Sequence, residues 1–370
     1  MQFIDLARQQ DRIRSNINSR IAQVLAHGHY ILGPEVAELE GALAERTARK
    51  HCIGVANGTD ALQLALMAYG IGPGDEVITP AFSYIAASEM IALLGATPVL
   101  VDIDPVSFNV SAKAIEAAIT PKTKAIIPVD LFGQCADYEA IVKIADPHDI
   151  PVFEDAAQSF GATRKGKPSC SFGAVATTSF FPSKPLGCYG DGGACFTDDD
   201  EIASLLRSMR AHGQARRYYH VRVGINARLD TMQAAILLAK LEIFDDEIGA
   251  RAEAAKRYEA LLRDASLEMR GLTIPRIDSG NTTVWAQYTV RVPNREKIRE
   301  TLKQAGIPTA VHYPQPLQDQ EVFAGRARVS GDLVASTKAA EEVMSLPMHP
   351  YLEANEQERI VEQLGKALKA

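Results

Sequence analysis

Between about residues 50 and 200 the apolar positions follow two alternating rhythms. Short runs at 76–80, 98–102, 125–129 and 151–155 are built round Val, Ile, Leu or Phe and read as buried strands. Between them, residues 61–69, 85–94, 112–119 and 138–145 carry apolar side chains at helical spacing. Strands without a polar face, alternating with amphipathic helices, predict an α/β fold with a mostly parallel sheet between helix layers. Ligands of such sheets sit beyond the carboxyl ends of the strands, so chemistry is sought there.

Past residue 245 the rhythm changes. A long charged helix is predicted from 246 to about 263, followed by an alternating stretch at 284–290 that suggests an antiparallel strand. Residues 295–305 read as a helix capped by Asn294 and ended by Gly306, with Ile298, Leu302 and Ala305 on its buried face. The expected organisation is a large domain, 1–245, whose first residues can pack on a smaller C-terminal α/β domain, 246–370.

Composition narrows the function classes. With 46% hydrophobic and 23% charged residues the chain is an ordinary globular one, and its net charge of -7 argues against a general nucleic-acid or anionic-membrane binder. The first residues, Met1 to Asp5, lack the basic start and apolar core of a signal peptide, and no window nears the roughly 18 apolar residues of a membrane span. Five cysteines without a C-x-x-C pair read as free thiols, so a cytoplasmic enzyme with no metal site is expected.

Four segments carry candidate chemistry. Asn57-Gly58-Thr59-Asp60 runs straight into a helix, where free backbone N–H groups and the helix dipole suit an anion; a plain N-cap would look the same. Asp155, in Glu154-Asp155-Ala156-Ala157-Gln158-Ser159, follows an apolar strand, and a carboxylate there calls for a cationic partner, although structural acids also end strands. Lys184, in Ser179-Phe180-Phe181-Pro182-Ser183-Lys184, sits in an aromatic setting before Gly187, Gly190, Gly192 and Gly193. Such a lysine suits imine formation with an aldehyde, or is an ordinary tight-turn lysine. Tyr84, after the strand at 76–80, can stack on a flat heteroaromatic ring or pack in the core.

Taken in this order, the segments resemble the sugar aminotransferases of the DegT/DnrJ/EryC1/StrS family, which belong to the fold-type I pyridoxal 5'-phosphate enzymes. The resemblance runs from Phe3-Ile4-Asp5-Leu6 to Ser345-Leu346-Pro347-Met348-His349-Pro350. It implies that Lys184 bonds the cofactor and shuttles the proton, that Asp155 pairs with the pyridinium nitrogen, and that Gln158 bonds the ring hydroxyl. It further implies Gly58, Thr59 and Ser179 at the phosphate, Tyr84 on the ring, and Asn226 given to the neighbouring subunit's phosphate site in a homodimer.

Six arginines, 207, 210, 216, 217, 222 and 228, reverse the local charge of an acidic chain. Arg207 and Arg210 read as a solvated helix face; the others suit an anionic substrate such as a nucleotide diphosphate. Within the family the resemblance is closest to members that aminate C3 of a UDP-linked 3-keto-N-acetylhexosaminuronic acid for bacterial surface polysaccharide (O-antigen). Glutamate would be the donor and 2-oxoglutarate its product. Arg228, His312 and Tyr313 are then the expected substrate contacts, His312 also being readable as a packed histidine. Alternatives are a nucleotide-sugar 4-aminotransferase and a pyridoxal phosphate-binding regulatory protein without transaminase activity. A dehydratase of the same scaffold would replace Lys184 with histidine, and no G-x-G-x-x-G marks a nicotinamide enzyme.

Overall fold

In the computed structural model, which describes residues 1–369, the predicted strands assemble into one twisted sheet at the centre of the larger part of the molecule. Its strands are β1 (His51–Val55), β2 (Glu76–Pro80), β3 (Thr97–Val101), β4 (Thr123–Ile126), β5 (Phe153–Asp155), β6 (Val175–Ser179) and β7 (Gly193–Thr197). The spatial order is β1-β7-β6-β5 and β4-β2-β3, and parallel bridges Ile126–Val152 and Val129–Asp155 join the two halves. Pairing is parallel except at β7, which runs antiparallel to both β1 and β6. The residues of β2 are buried throughout, as expected of a strand with helices on both faces.

Helices α1 (Leu6–His27), α2 (Pro34–Thr47), α3 (Gly58–Ala68), α4 (Ala86–Leu93), α5 (Ala112–Ala118), α6 (Tyr138–Ala145), α7 (Asp200–Met209) and α8 (Thr231–Leu241) belong to this part. Their ends follow local rules. Asp5, Asn57, Ser111, Asp137 and Asp199 accept backbone N–H bonds at the starts of α1, α3, α5, α6 and α7. Gly28 ends α1 at φ 71°, a left-handed position that glycine adopts without strain. Leu62, Leu64, Ala65 and Leu66 of α3 pack on Ile53, Val77 and Cys195 of the sheet, each such buried aliphatic contributing about 1.5–3 kcal/mol.

The rest of the chain forms a second core on the antiparallel pair β8 (Tyr288–Arg291) and β9 (Val343–Leu346), in register Thr289–Ser345. Helices α9 (Phe244–Asp264), α10 (Arg295–Gln304), α11 (Val334–Glu342) and α12 (Ala354–Ala367) accompany it. Phe244, at the start of α9, packs with Phe160 in the first part, while Tyr258 and Leu262 enter the second core, so α9 spans both. A two-residue strand, Arg328–Val329, returns to extend the main sheet beside β3.

Three local expectations are corrected. The strand expected at 284–290 begins only at Tyr288, because Trp285 takes a positive φ of 47° and turns the chain. Asn294 precedes α10 in the left-handed region, φ 48°, and makes no side-chain cap bond. Arg210 is not on a solvated face: it is buried and bonds Glu40 and the Gly54 carbonyl.

Candidate active site

The carboxyl ends of β1, β2, β5 and β6 converge on one region, and each delivers one of the sequence-predicted groups. After β1, Asn57 caps α3 by accepting from the Asp60 N–H at 2.8 Å, which leaves the Gly58 and Thr59 amides at the helix N-terminus. A Cβ on Gly58 would lie 2.7 Å from the Ser179 Cβ, and one on Gly193 would lie 2.5 Å from the Asn57 carbonyl carbon. Two glycines therefore let the start of α3 sit directly on the ends of β6 and β7. The result is an anion cup of helix amides beside a serine hydroxyl.

Strand β5 ends in two acids on opposite faces. Glu154 points into the core, where Cys170 and Phe172 donate backbone N–H groups to its two oxygens at 2.7 and 2.8 Å. Asp155 points into the site, is buried, and accepts from the Ala157 N–H at 3.0 Å. Burial raises the Asp155 pKa above the usual carboxylate value, opposed by the Ala157 amide and by the charge of Lys184. The following turn is pinned from below: Asp130 accepts from Ser159 Oγ, the Tyr138 hydroxyl and the Ala136 N–H, each at 2.8 Å.

Lys184 is half-buried in the loop after β6, and its own N–H donates to the Phe181 carbonyl at 2.8 Å. Burial lowers its pKa, and only Asp155 pulls the other way. Gln158 accepts from the Phe132 N–H at 3.0 Å and turns its amide N–H toward the Tyr313 hydroxyl at 3.4 Å. The exposed Tyr84 ring stands 6.1 Å from that of Tyr313. His312 bonds Ser345 Oγ through Nδ1 at 3.0 Å and lies 6.3 Å from the Phe3 ring. Burial, then the charge of Lys184, lowers the His312 pKa to about 4.

Gly58 thus meets Ser179, with Thr59 next to it at the start of α3; Asp155 interacts electrostatically with Lys184, and Gln158 meets Tyr313 with Tyr84 and His312 alongside. Arg228 and Asn226 lie on the segment that runs beside β1, bridged to Val55 and Ala211. Arg228 Nε is buried without a hydrogen-bond partner, while Asn226 is exposed. Arg216, Arg217 and Arg222 are exposed on or beside the hairpin Gln214–Arg216/Tyr219–His220. Sequence reasoning assigned no role to Asp130, Ser345 or Phe3; the last two meet His312, which is distant in the chain from both. Only the place of Asp130 just after an apolar run signalled a strand end.

The residues present fit pyridoxal phosphate. The cup suits a phosphate, the buried Asp155 has no cation in hydrogen-bond contact among the described residues, and Lys184, its pKa lowered by burial, interacts with it electrostatically. Residues 11–365 match the DegT/DnrJ/EryC1/StrS aminotransferase family. The UDP-2-acetamido-2-deoxy-3-oxo-D-glucuronate aminotransferase of Pseudomonas aeruginosa is 59% identical over 353 residues, 95% of this chain and 96% of that one. A pleiotropic regulatory protein of Geobacillus stearothermophilus is 46% identical, covering 98% and 97%. The crystal structure of S. venezuelae DesV in complex with a ketimine intermediate superposes with a TM-score of 0.95 at 39% identity, covering 100% of this chain and 98% of that one.

Proposed function

Because the chain belongs to the DegT/DnrJ/EryC1/StrS family and is a pyridoxal phosphate-dependent sugar aminotransferase, we propose that it aminates C3 of UDP-2-acetamido-2-deoxy-3-oxo-glucuronate. The observation that carries this substrate is the 59% identity to the P. aeruginosa enzyme over nearly the whole of both chains. The half-buried Arg228, with its unpartnered Nε, supports it as a group suited to a sugar carboxylate or diphosphate. The donor in this reading is glutamate, the setting O-antigen synthesis in the cytoplasm, and the two-domain division at 245/246 is retained. Among the described residues no helix is long and apolar enough to cross a membrane.

When bound, the cofactor supplies an electron sink for the carbanion formed at the amino-bearing carbon. Gly58, Thr59 and Ser179 would hold its phosphate, Gln158 would bond its ring hydroxyl and Tyr84 would supply an aromatic face for the ring. Asp155 would keep the ring nitrogen protonated, a role its buried position suits, because a cation would relieve the cost of burying its charge. Lys184 would hold the cofactor through its amine, and that amine would carry the proton. Burial lowers its pKa, which favours the amine form that could accept that proton. His312, neutral through most of the physiological range, offers a hydrogen bond rather than a charge to the sugar.

The working unit in this proposal is a homodimer with Asn226 donated across it. Tyr30, Ile31, Tyr218, Val221 and Val223 are exposed apolar side chains that such a partner would cover. A second reading, a cofactor-binding regulator without turnover, is favoured by the G. stearothermophilus relative's name.

The test is direct. Purified protein is loaded with pyridoxal phosphate and glutamate, then offered 3-keto and 4-keto UDP sugars with and without the uronic carboxylate. Formation of 2-oxoglutarate and a 3-amino uronate is expected. Preference for a neutral 4-keto sugar would overturn the substrate, and cofactor binding without any amino transfer would favour the regulator.

A further inference from the structure

Helix α8 carries a buried lysine that the chemistry above does not use. Lys240 is fully buried, yet its ammonium donates one hydrogen bond, to the Gly187 carbonyl at 2.6 Å, and lies 4.4 Å from the centre of the Tyr189 ring. Seven residues earlier, and so on the same face of the helix, Gln233 grips the Tyr189 backbone. Its Oε1 accepts from the Tyr189 N–H at 2.9 Å and its Nε2 donates to the Tyr189 carbonyl at 3.4 Å. Burying a cation is costly without specific compensation, and a carbonyl plus a π face is a purpose-built one.

The gripped loop is the one that bears Lys184. It leaves and rejoins the sheet at Phe180, whose N–H donates to the Gly192 carbonyl and whose carbonyl accepts from the Cys188 N–H and thiol. Between those anchors the chain folds onto itself so tightly that a Cβ on Gly187 would lie 2.6 Å from the Pro182 carbonyl oxygen. Lys184 sits inside this coil, three residues from the carbonyl that Lys240 holds.

We propose that Lys240 is a positioning residue: with Gln233 it clamps the 181–189 loop onto α8 and thereby sets where Lys184 presents its amine. The inference rests on Lys184 being the cofactor anchor proposed above. The clamp also depends on protonation. Burial lowers the Lys240 pKa to about 8, with Glu247 of α9 and Cys188 of the loop opposing the shift. Tyr189 covers the ammonium, Arg14 of α1 lies near Tyr189, and α2 turns apolar Val36, Leu39 and Leu43 toward α8. A neutral amine still donates to Gly187, but more weakly and without the cation–π contact.

The test compares the cofactor-loaded wild type with Lys240→Met and Lys240→Gln by hydrogen–deuterium exchange and steady-state kinetics. In the Met variant, amides of 181–189 should exchange about tenfold faster, the scale of one charge-assisted hydrogen bond, with the strands unchanged. Its kcat should fall about tenfold while KM for the sugar stays within about twofold. The Gln variant, which keeps a donor but no charge, should recover part of both. After correction for base-catalysed exchange, the wild-type loop should loosen as pH rises through 8 and the Gln variant should not. If the Met variant does not fold, this last comparison decides. Wild-type exchange and kcat in the Met variant, or an alkaline step retained in the Gln variant, would overturn the clamp. A protein that takes up no pyridoxal phosphate would instead overturn the reading of Lys184.

Discussion

Asp155 and Lys184 balance each other across the site: burial drives both toward neutrality, and each is the charge that resists the other's shift. A cofactor carrying a ring cation and an aldehyde would relieve both, taking the carboxylate as counter-ion and the amine as bonding partner. Lys184→Ala should therefore lower kcat by at least about 10³-fold, since it removes both the covalent anchor and the proton carrier. Asp155→Asn should keep the fold and bind cofactor, yet lose about 10²–10⁴-fold in kcat. Single-turnover rates and bound-cofactor absorbance measure the two separately.

Gly58→Ala tests the anion cup. Its new Cβ would meet the Ser179 side chain at 2.7 Å, and overpacking of that kind costs about 1–3 kcal/mol. The expected result is a Kd for pyridoxal phosphate raised roughly tenfold or more, measured by equilibrium dialysis, with a smaller effect on the melting temperature.

The arginines should separate by environment. Arg228→Met should raise KM for the nucleotide sugar about tenfold or more with little change in Tm. Arg210→Met should do the reverse. It strands Glu40, to which the Gly54 N–H also donates at 2.8 Å, and breaking a buried pair costs about 3–5 kcal/mol. Paired denaturation curves and KM values distinguish them.

His312 sets a pH dependence of stability. Its folded pKa of about 4 lies below the ordinary 6.5, so between those values the unfolded chain holds a proton that the folded chain does not. This contribution to stability is complete above about pH 6.5 and declines as pH falls toward 4. Melting temperatures across that window should drop less in His312→Gln than in wild type.

Much of this was legible in the sequence because it depends on local chemistry. The α6 prediction at 138–145 matches the helix Tyr138–Ala145, since an Asp137 cap and an apolar stripe define it without tertiary help. The 76–80 strand was equally clear, with Val77 and Ile78 putting an apolar side chain on each face. The stretch at 125–129 shortened to a strand at Thr123–Ile126, with its last residues reduced to single bridges toward β5. Lys184, Asp155 and the helix start at Gly58 were readable because each lies in a distinctive local setting. Three contacts were not: Thr289 with Ser345, Ser345 with His312, and Lys240 with Gly187. These depend on strand pairing and helix docking between distant segments. Arg210 was misread because a helical wheel shows which face a residue occupies but not what lies against it.

The paired acids of β5 give that strand a phase. Glu154 serves a lattice of backbone donors and Asp155 serves the site, and the pleat alone decides which is which. A one-residue insertion among residues 151–153 could leave the charge unchanged while turning each acid to the opposite face. It would send the longer acid toward the cofactor and leave the amides of Cys170 and Phe172 facing the wrong side chain. Length is therefore under tighter constraint here than residue type, and engineered variants of this segment should be sought by substitution and never by indel.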